Sequence, residues 1–203
     1  MKKRCVWGMI TCASALLFAG CHSAATRIYE VEVSAPGTRL SSYQAPALRV
    51  DSLSVPAGWD RVEILRPTLA GEVEISDFDH WSAPLGQAAR QALSADLSER
   101  LPVGSVIFPR LPKSNGALSV NVDILEFSIV GSRASMQVGW VITPDEAAAI
   151  AGSGVSGPPT PKRSEALLQD TISSTGPAAI AHAWSSLIAQ LADHIAADAA
   201  QFK

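Results

Sequence analysis

Two stretches of helical period, set between runs of strand period, constrain this chain more than any other feature. Leu85, Ala88, Ala89, Ala92, Leu93 and Leu97 recur at helical spacing, with Gln87, Arg90, Gln91, Asp96 and Glu99 off that stripe. Ser82 is a suitable N-cap and Pro84 fits a first turn. The spacing predicts a helix from about residue 83 to Arg100, stopped by Pro102. Gly176-Pro177 opens the second stretch, where Ile180, Ala183, Trp184, Leu187, Ile188, Leu191 and Ile195 form one face as far as about Ala200.

Strand patterns fill the rest. Arg27 to Val33, Ala47 to Val55, Arg61 to Arg66, Glu72 to Ile75 and Val103 to Phe108 are short candidates. The alternation of the second slips near Ser52, which reads as a bulge. Leu118 to Val130 is the strongest strand, with Leu118, Val120, Val122, Ile124 and Glu126 on one face and Asn121, Asp123 and Leu125 on the other. Gly131-Ser132 turns it into a hairpin with Arg133 to Thr143, and Arg163 to Ser173 is a closing strand. Residues 34–46 and 152–161, rich in proline, glycine and serine, read as loops. One helix cannot cover a sheet of this size. The expected class is therefore α+β, with one mixed, largely antiparallel sheet and two main helices packed on it.

The N-terminus does not belong to that domain. Lys2, Lys3 and Arg4 precede an apolar run from Val6 to Ala19, and Phe18-Ala19-Gly20-Cys21 follows the pattern of a lipobox. An apolar run of about 14 residues is short for a membrane span. The expectation is a lipoprotein signal peptide over 1–20, an acylated tether with a first strand over 21–46, and a single domain over 47–201. Cys21 would be the lipidated residue. Cys5 and Cys12 leave with the signal, so no disulfide and no cysteine metal site remains. The mature chain carries a net charge of −6. That balance opposes nucleic acid and anionic lipid, so membrane attachment falls to the acyl chains.

Motifs that carry chemistry are nearly absent from the sequence. There is no dinucleotide-binding glycine pattern, no phosphate loop and no nucleophile elbow. Gly152-Ser153-Gly154 runs on into Pro158-Pro159, which suits a loop. His182 and His194 lie about 18 Å apart along a helix, too far to share an ion. Glu72, Glu74, Asp77, Asp79, His80 and Trp81 form the densest polar cluster, read as local structure or a partner contact before an acid/base or cation site. Of the tryptophans, Trp184 and Trp140 suit a core, and Trp59 in a turn is the candidate for exposure. No cofactor, metal or catalytic residue is expected.

Arg49-Val50, Leu53-Ser54-Val55-Pro56, Trp59-Asp60-Arg61 and Phe78-Asp79-His80-Trp81-Ser82-Ala83-Pro84-Leu85 follow one another in an order that resembles the ABC-transport auxiliary lipoproteins of the PqiC type. Arg49-Val50 and Leu53-Ser54-Val55-Pro56 fit a core strand ending in proline. Trp59-Asp60-Arg61 fits the following turn, and Val62 to Arg66 the next strand. Phe78-Asp79-His80-Trp81-Ser82-Ala83-Pro84-Leu85 fits the most distinctive piece, with His80 and Ser82-Ala83 where the family has Arg and Ala-Glu. The resemblance implies a non-catalytic lipoprotein on the periplasmic face of the outer membrane. Its implied partners are an MCE-domain periplasmic protein with its permease and ATPase, and the bilayer through the acylated cysteine; it leaves room for a homo-oligomer. Trp59, Asp60, Arg61, His80, Trp81, Pro84 and Leu85 are the expected structural or partner-contact residues. A periplasmic carrier of lipid or another hydrophobe is the alternative, and a periplasmic hydrolase a more remote one.

Overall fold

The computed structural model describes residues 24–36, 39–68, 72–145 and 160–202. The signal segment, Cys21 and the glycine-rich run at 152–157 lie outside the described residues. The elements in chain order are β1 (Arg27–Tyr29), β2 (Leu48–Ser54), β3 (Glu63–Pro67), β4 (Val73–Trp81), α1 (Leu85–Arg100), β5 (Leu118–Val130), β6 (Arg133–Pro144), β7 (Lys162–Thr171) and α2 (Pro177–Ala199).

The class is α+β with two helices, but the strands form two sheets rather than the single sheet expected. One has the order β1-β4-β3 and the other β2-β5-β6-β7. The cause lies at the edge of β2. Val103 to Phe108, expected as a strand, makes only one bridge, Val106 to Leu48. Leu48 donates its amide to Ser105 and accepts from Ile107, so the edge is already paired at the first residue of β2, where a further strand would begin. Gly104 at φ 88° and prolines at 102 and 109 keep that segment from lengthening. The β3–β4 pair therefore takes β1 as its third strand, in parallel register with Tyr29 opposite Trp81.

Within the larger sheet the period-two reading is accurate. β2 shifts register between Val50 and Ser52, as the sequence suggests. β5 has a second bulge, between Ile124 and Glu126. It sends Glu126 outward and brings Phe127 into the core, so Glu126 leaves the face assigned to it by simple alternation. Gly131 turns the β5–β6 hairpin at φ 62°, a conformation that suits glycine.

Both helices lie on one face of the larger sheet, α1 against β2 and α2 against β6 and β7, and they pack on each other. Trp184, Leu93, Leu97, Ile124 and Met136 fill the space between the layers and are fully buried. The N-terminal segment is not a free tether beyond Arg27. Glu32 donates its amide to Ser185 Oγ, Ser34 donates to Asp96 Oδ1 and Leu40 donates to the Arg100 carbonyl. Among the described residues no helix is long and apolar enough to cross a membrane.

Candidate interaction surface at the sheet–helix joint

The residues singled out by motif converge where the smaller sheet meets α1. A turn closes from Pro56, whose carbonyl accepts from the Trp59 amide at 2.7 Å, and the Arg61 amide donates to Trp59 O at 2.8 Å. Trp59 is half-buried. Its ring meets Phe127 edge-on at 5.0 Å, and Phe127 stacks on Trp184 at 4.6 Å. Trp59 thus belongs to an aromatic packing cluster and is not the free ring that its place in a turn suggests.

Asp60 does more than close its own turn. Its Oδ1 accepts from the Gly86 amide at 3.0 Å and so caps α1 from 26 residues away. Ser82, the expected N-cap, does not fill that role: Pro84 is the N-cap residue and supplies no side-chain bond. Gly86 lets the carboxylate approach, since a Cβ there would stand 3.2 Å from Asp60 Oδ1. Leu85 points inward and is fully buried. Arg61 pairs with Glu63 at 2.9 Å, not with Asp60. The Glu63 carboxyl is lowered by a hydrogen bond with its own backbone and by Arg61.

The strand expected over Glu72 to Ile75 runs on to Trp81, through the polar cluster. This strand, β4, carries a wide bulge between its pairings at Ile75 and His80. Ser76 Oγ accepts the Asp79 amide and donates to Asp79 Oδ2, closing the bulge. Arg27 of β1 clamps both oxygens of Asp79, at 2.6 and 2.9 Å. That contact holds the Asp79 carboxyl down at about 2 against the upward push of burial, with Ser76 and Tyr29 assisting. Trp81 is buried below, while Phe78 and His80 face outward beside Ile28. Two carboxylates of the acidic cluster are thereby held in separate ion pairs, Asp79 by Arg27 and Glu74 by Arg66 at 2.7 Å. No group of three or more metal-ligating side chains forms among the described residues.

Two polar networks escape the sequence reading. Arg100 and Asp96 fall on the apolar stripe of α1 rather than off it, and both are buried. Arg100 bonds Asp96 Oδ1 at 3.1 Å, the Asp96 carbonyl at 3.0 Å and Asp193 of α2 at 2.6 Å. Burial pushes the Asp96 carboxyl up to about 6 in spite of Ser34 and Arg100, and its Oδ2 has no partner. The second network centres on Asp198, which accepts from Trp140 Nε1 and Ser164 and pairs with Lys162 at 2.7 Å. Burial pushes its carboxyl up, and these donors together hold it below its ordinary value. The only local signal for either was the i, i+4 spacing of Asp96 and Arg100.

The fold and this joint define a domain whose polar groups are spent on structure, with no convergent catalytic set among the described residues. Its relatives give the class a family. The family of ABC-type transport auxiliary lipoprotein components matches residues 29–196, from within β1 to within α2, and the chain belongs to that family. The family is one of auxiliary components of ABC-type transport. A crystal structure of an uncharacterized protein is similar in fold at a TM-score of 0.64 and 16% identity, covering 86% of this chain and 99% of its own. Protein XCC0632 from Xanthomonas campestris is similar at a TM-score of 0.58 and 17% identity, covering 83% and 92%. No curated protein matches.

Proposed function

We propose that this protein is a PqiC-like lipoprotein, acylated at Cys21 and held on the periplasmic face of the outer membrane, where it docks the periplasmic part of an MCE-type lipid transport system. Residues 1–20 are its cleaved signal and residues 21–26 its short leash. The observation that carries the reading is the pairing of a lipobox with a family match that begins eight residues after Cys21. The closed core favours docking over carriage. A carrier needs an enclosed apolar cavity, whereas the space between helices and sheet is filled by Trp184, Leu93, Leu97 and Met136. A hollow of about 770 Å³ lies on the solvent side of the larger sheet, edged by Asn121, Asp123, Leu125, Gly139, Arg163 and Glu165. In this proposal Asp60, Trp81, Pro84 and Leu85 keep the joint in shape, and the exposed parts of Trp59, Arg61 and His80 remain available at the surface.

The test is co-purification of the acylated protein from crosslinked envelopes. Recovery of an MCE-domain protein with its permease is the expected result; repeated failure under conditions that preserve both membranes overturns the docking role. Cys21→Ser should abolish acylation and move the domain to the soluble periplasmic fraction. Tight membrane retention of that variant would contradict the anchor.

A further inference from the structure

We infer that the outward face of β1 and β4, centred on Ile28 and Phe78, rests on the phospholipid bilayer to which the chain is anchored. The inference builds on acylation at Cys21.

The first observation is the length of the leash. Five residues, hence six Cα-to-Cα steps, separate Cys21 from Arg27, where β1 begins. Fully extended they reach only about 20 Å. A mature chain of 183 residues has a radius of gyration of about 16 Å, hence a diameter of roughly 40 Å. The leash is too short for the domain to turn its far side to the membrane. The β1 end must stay at the surface.

The second observation is what β1 and β4 present there. β4 is the central strand of its sheet, the position where an uncovered apolar side chain is least expected. Yet Phe78 is 42% exposed, and Val73 and Ile75 further along the same strand are exposed as well. Ile28 on β1 is 59% exposed and lies opposite His80, next to Phe78 on the same face. The bulge closed by Ser76 and the Arg27–Asp79 clamp hold Phe78 outward while Trp81 stays buried. The clamp sits at the root of the leash, so it stiffens the point where the anchor meets the domain.

Charge selects the kind of surface. Glu30, Glu32 and Asp77 flank the face and are exposed. They disfavour an anionic membrane, so the contact is apolar and suits zwitterionic phospholipid. The acyl chains provide affinity; the face provides orientation.

The experiment places the photocrosslinker p-benzoylphenylalanine at Phe78, at Ile28, or at Leu167 on the uncovered side of β7, in the full-length chain in intact envelopes. Acylation of Cys21 is read by mass in the same samples. Acylated protein with lipid adducts at Phe78 and Ile28 several-fold above those at Leu167, undiminished by high salt, supports the inference. Acylated protein with protein adducts at Phe78, with none, or with equal lipid adducts at all three positions overturns it while leaving the anchor intact. Unacylated protein removes both readings. Both Phe78 and Ile28 are exposed, so each substitution is expected to preserve the thermal melt and either one alone suffices.

Discussion

The two ends of α1 are secured by opposite means. At its start an exposed residue, Asp60, reaches a single backbone donor, that of Gly86. At its end Arg100, only 2% exposed, is wedged between Asp96 of its own helix and Asp193 of α2, with the 31–40 segment bonded to the same residues. The first device satisfies one helix-end donor in water and is worth about 1 kcal/mol. The second holds Arg100 and Asp96 out of water, where each needs its partners because an orphaned buried charge has no solvent to turn to, and half-exposed Asp193 reaches in from α2. A surface cap can be lost with modest harm. A buried ionic knot is close to all-or-none, and it joins three parts of the chain that are far apart in sequence.

The sharpest way to break that contrast is Arg100→Met. It strands Asp96 and should cost about 3–5 kcal/mol. The melt should fall by roughly 10 °C for a domain of this size. Adding Asp96→Leu should restore much of the loss, because two apolar side chains replace a pair. A loss below about 1 kcal/mol would show that the knot is no more critical than a surface pair.

A titration sharpens the same contrast. Asp96 folded titrates at about 6, above its unfolded value near 3.8. The stability it contributes is therefore whole below about pH 4 and is lost as pH rises through 6. Asp79 has the opposite sign: held at about 2, it stabilises above pH 4 and loses that contribution as pH falls toward 2. Urea unfolding of Asp96→Asn should be flatter than wild type between pH 4 and 7. Parallel pH curves would remove Asp96 as the titrating group.

The contrast also explains what was readable beforehand. Both helices, the β5–β6 hairpin and the bulge in β2 follow from local period, because each is decided by residues close in sequence. The division into two sheets was not legible. It depends on residues 105–107 occupying the edge of β2, a pairing across more than 50 positions. Phe127 replaces Glu126 in the core through a bulge that alternation cannot announce. At the joint the motif residues were identifiable, but their partners were not: Ser82 offered a local cap, and the structure uses Asp60 instead. The Arg100 knot was the least readable. Beyond the i, i+4 spacing of Asp96 and Arg100, its members lie 62 and 93 positions away at Ser34 and Asp193, and a charged side chain on an apolar stripe is easily assigned to the wrong side of it.

The smallest effect tests the weaker end most directly. Asp60→Ala should cost about 1 kcal/mol by removing the cap. Gly86→Ala should then behave differently in the two backgrounds. Alanine improves on glycine in a helix by up to about 1 kcal/mol. With Asp60 present, the new Cβ would stand 3.2 Å from Oδ1 and push the carboxylate off its 3.0 Å bond, offsetting that gain. With alanine at position 60 nothing opposes it, since the Leu53 carbonyl at 3.6 Å is an ordinary contact. Gly86→Ala should therefore be near neutral in wild type and stabilising beside Asp60→Ala, with a coupling of about 1 kcal/mol in the double-mutant cycle. Equal effects in both backgrounds would mean that Asp60 does not hold the start of α1 in solution. The N-terminal end would then rest on the burial of Leu85 and Trp81 and on the Leu85 amide's bond to the Arg61 carbonyl.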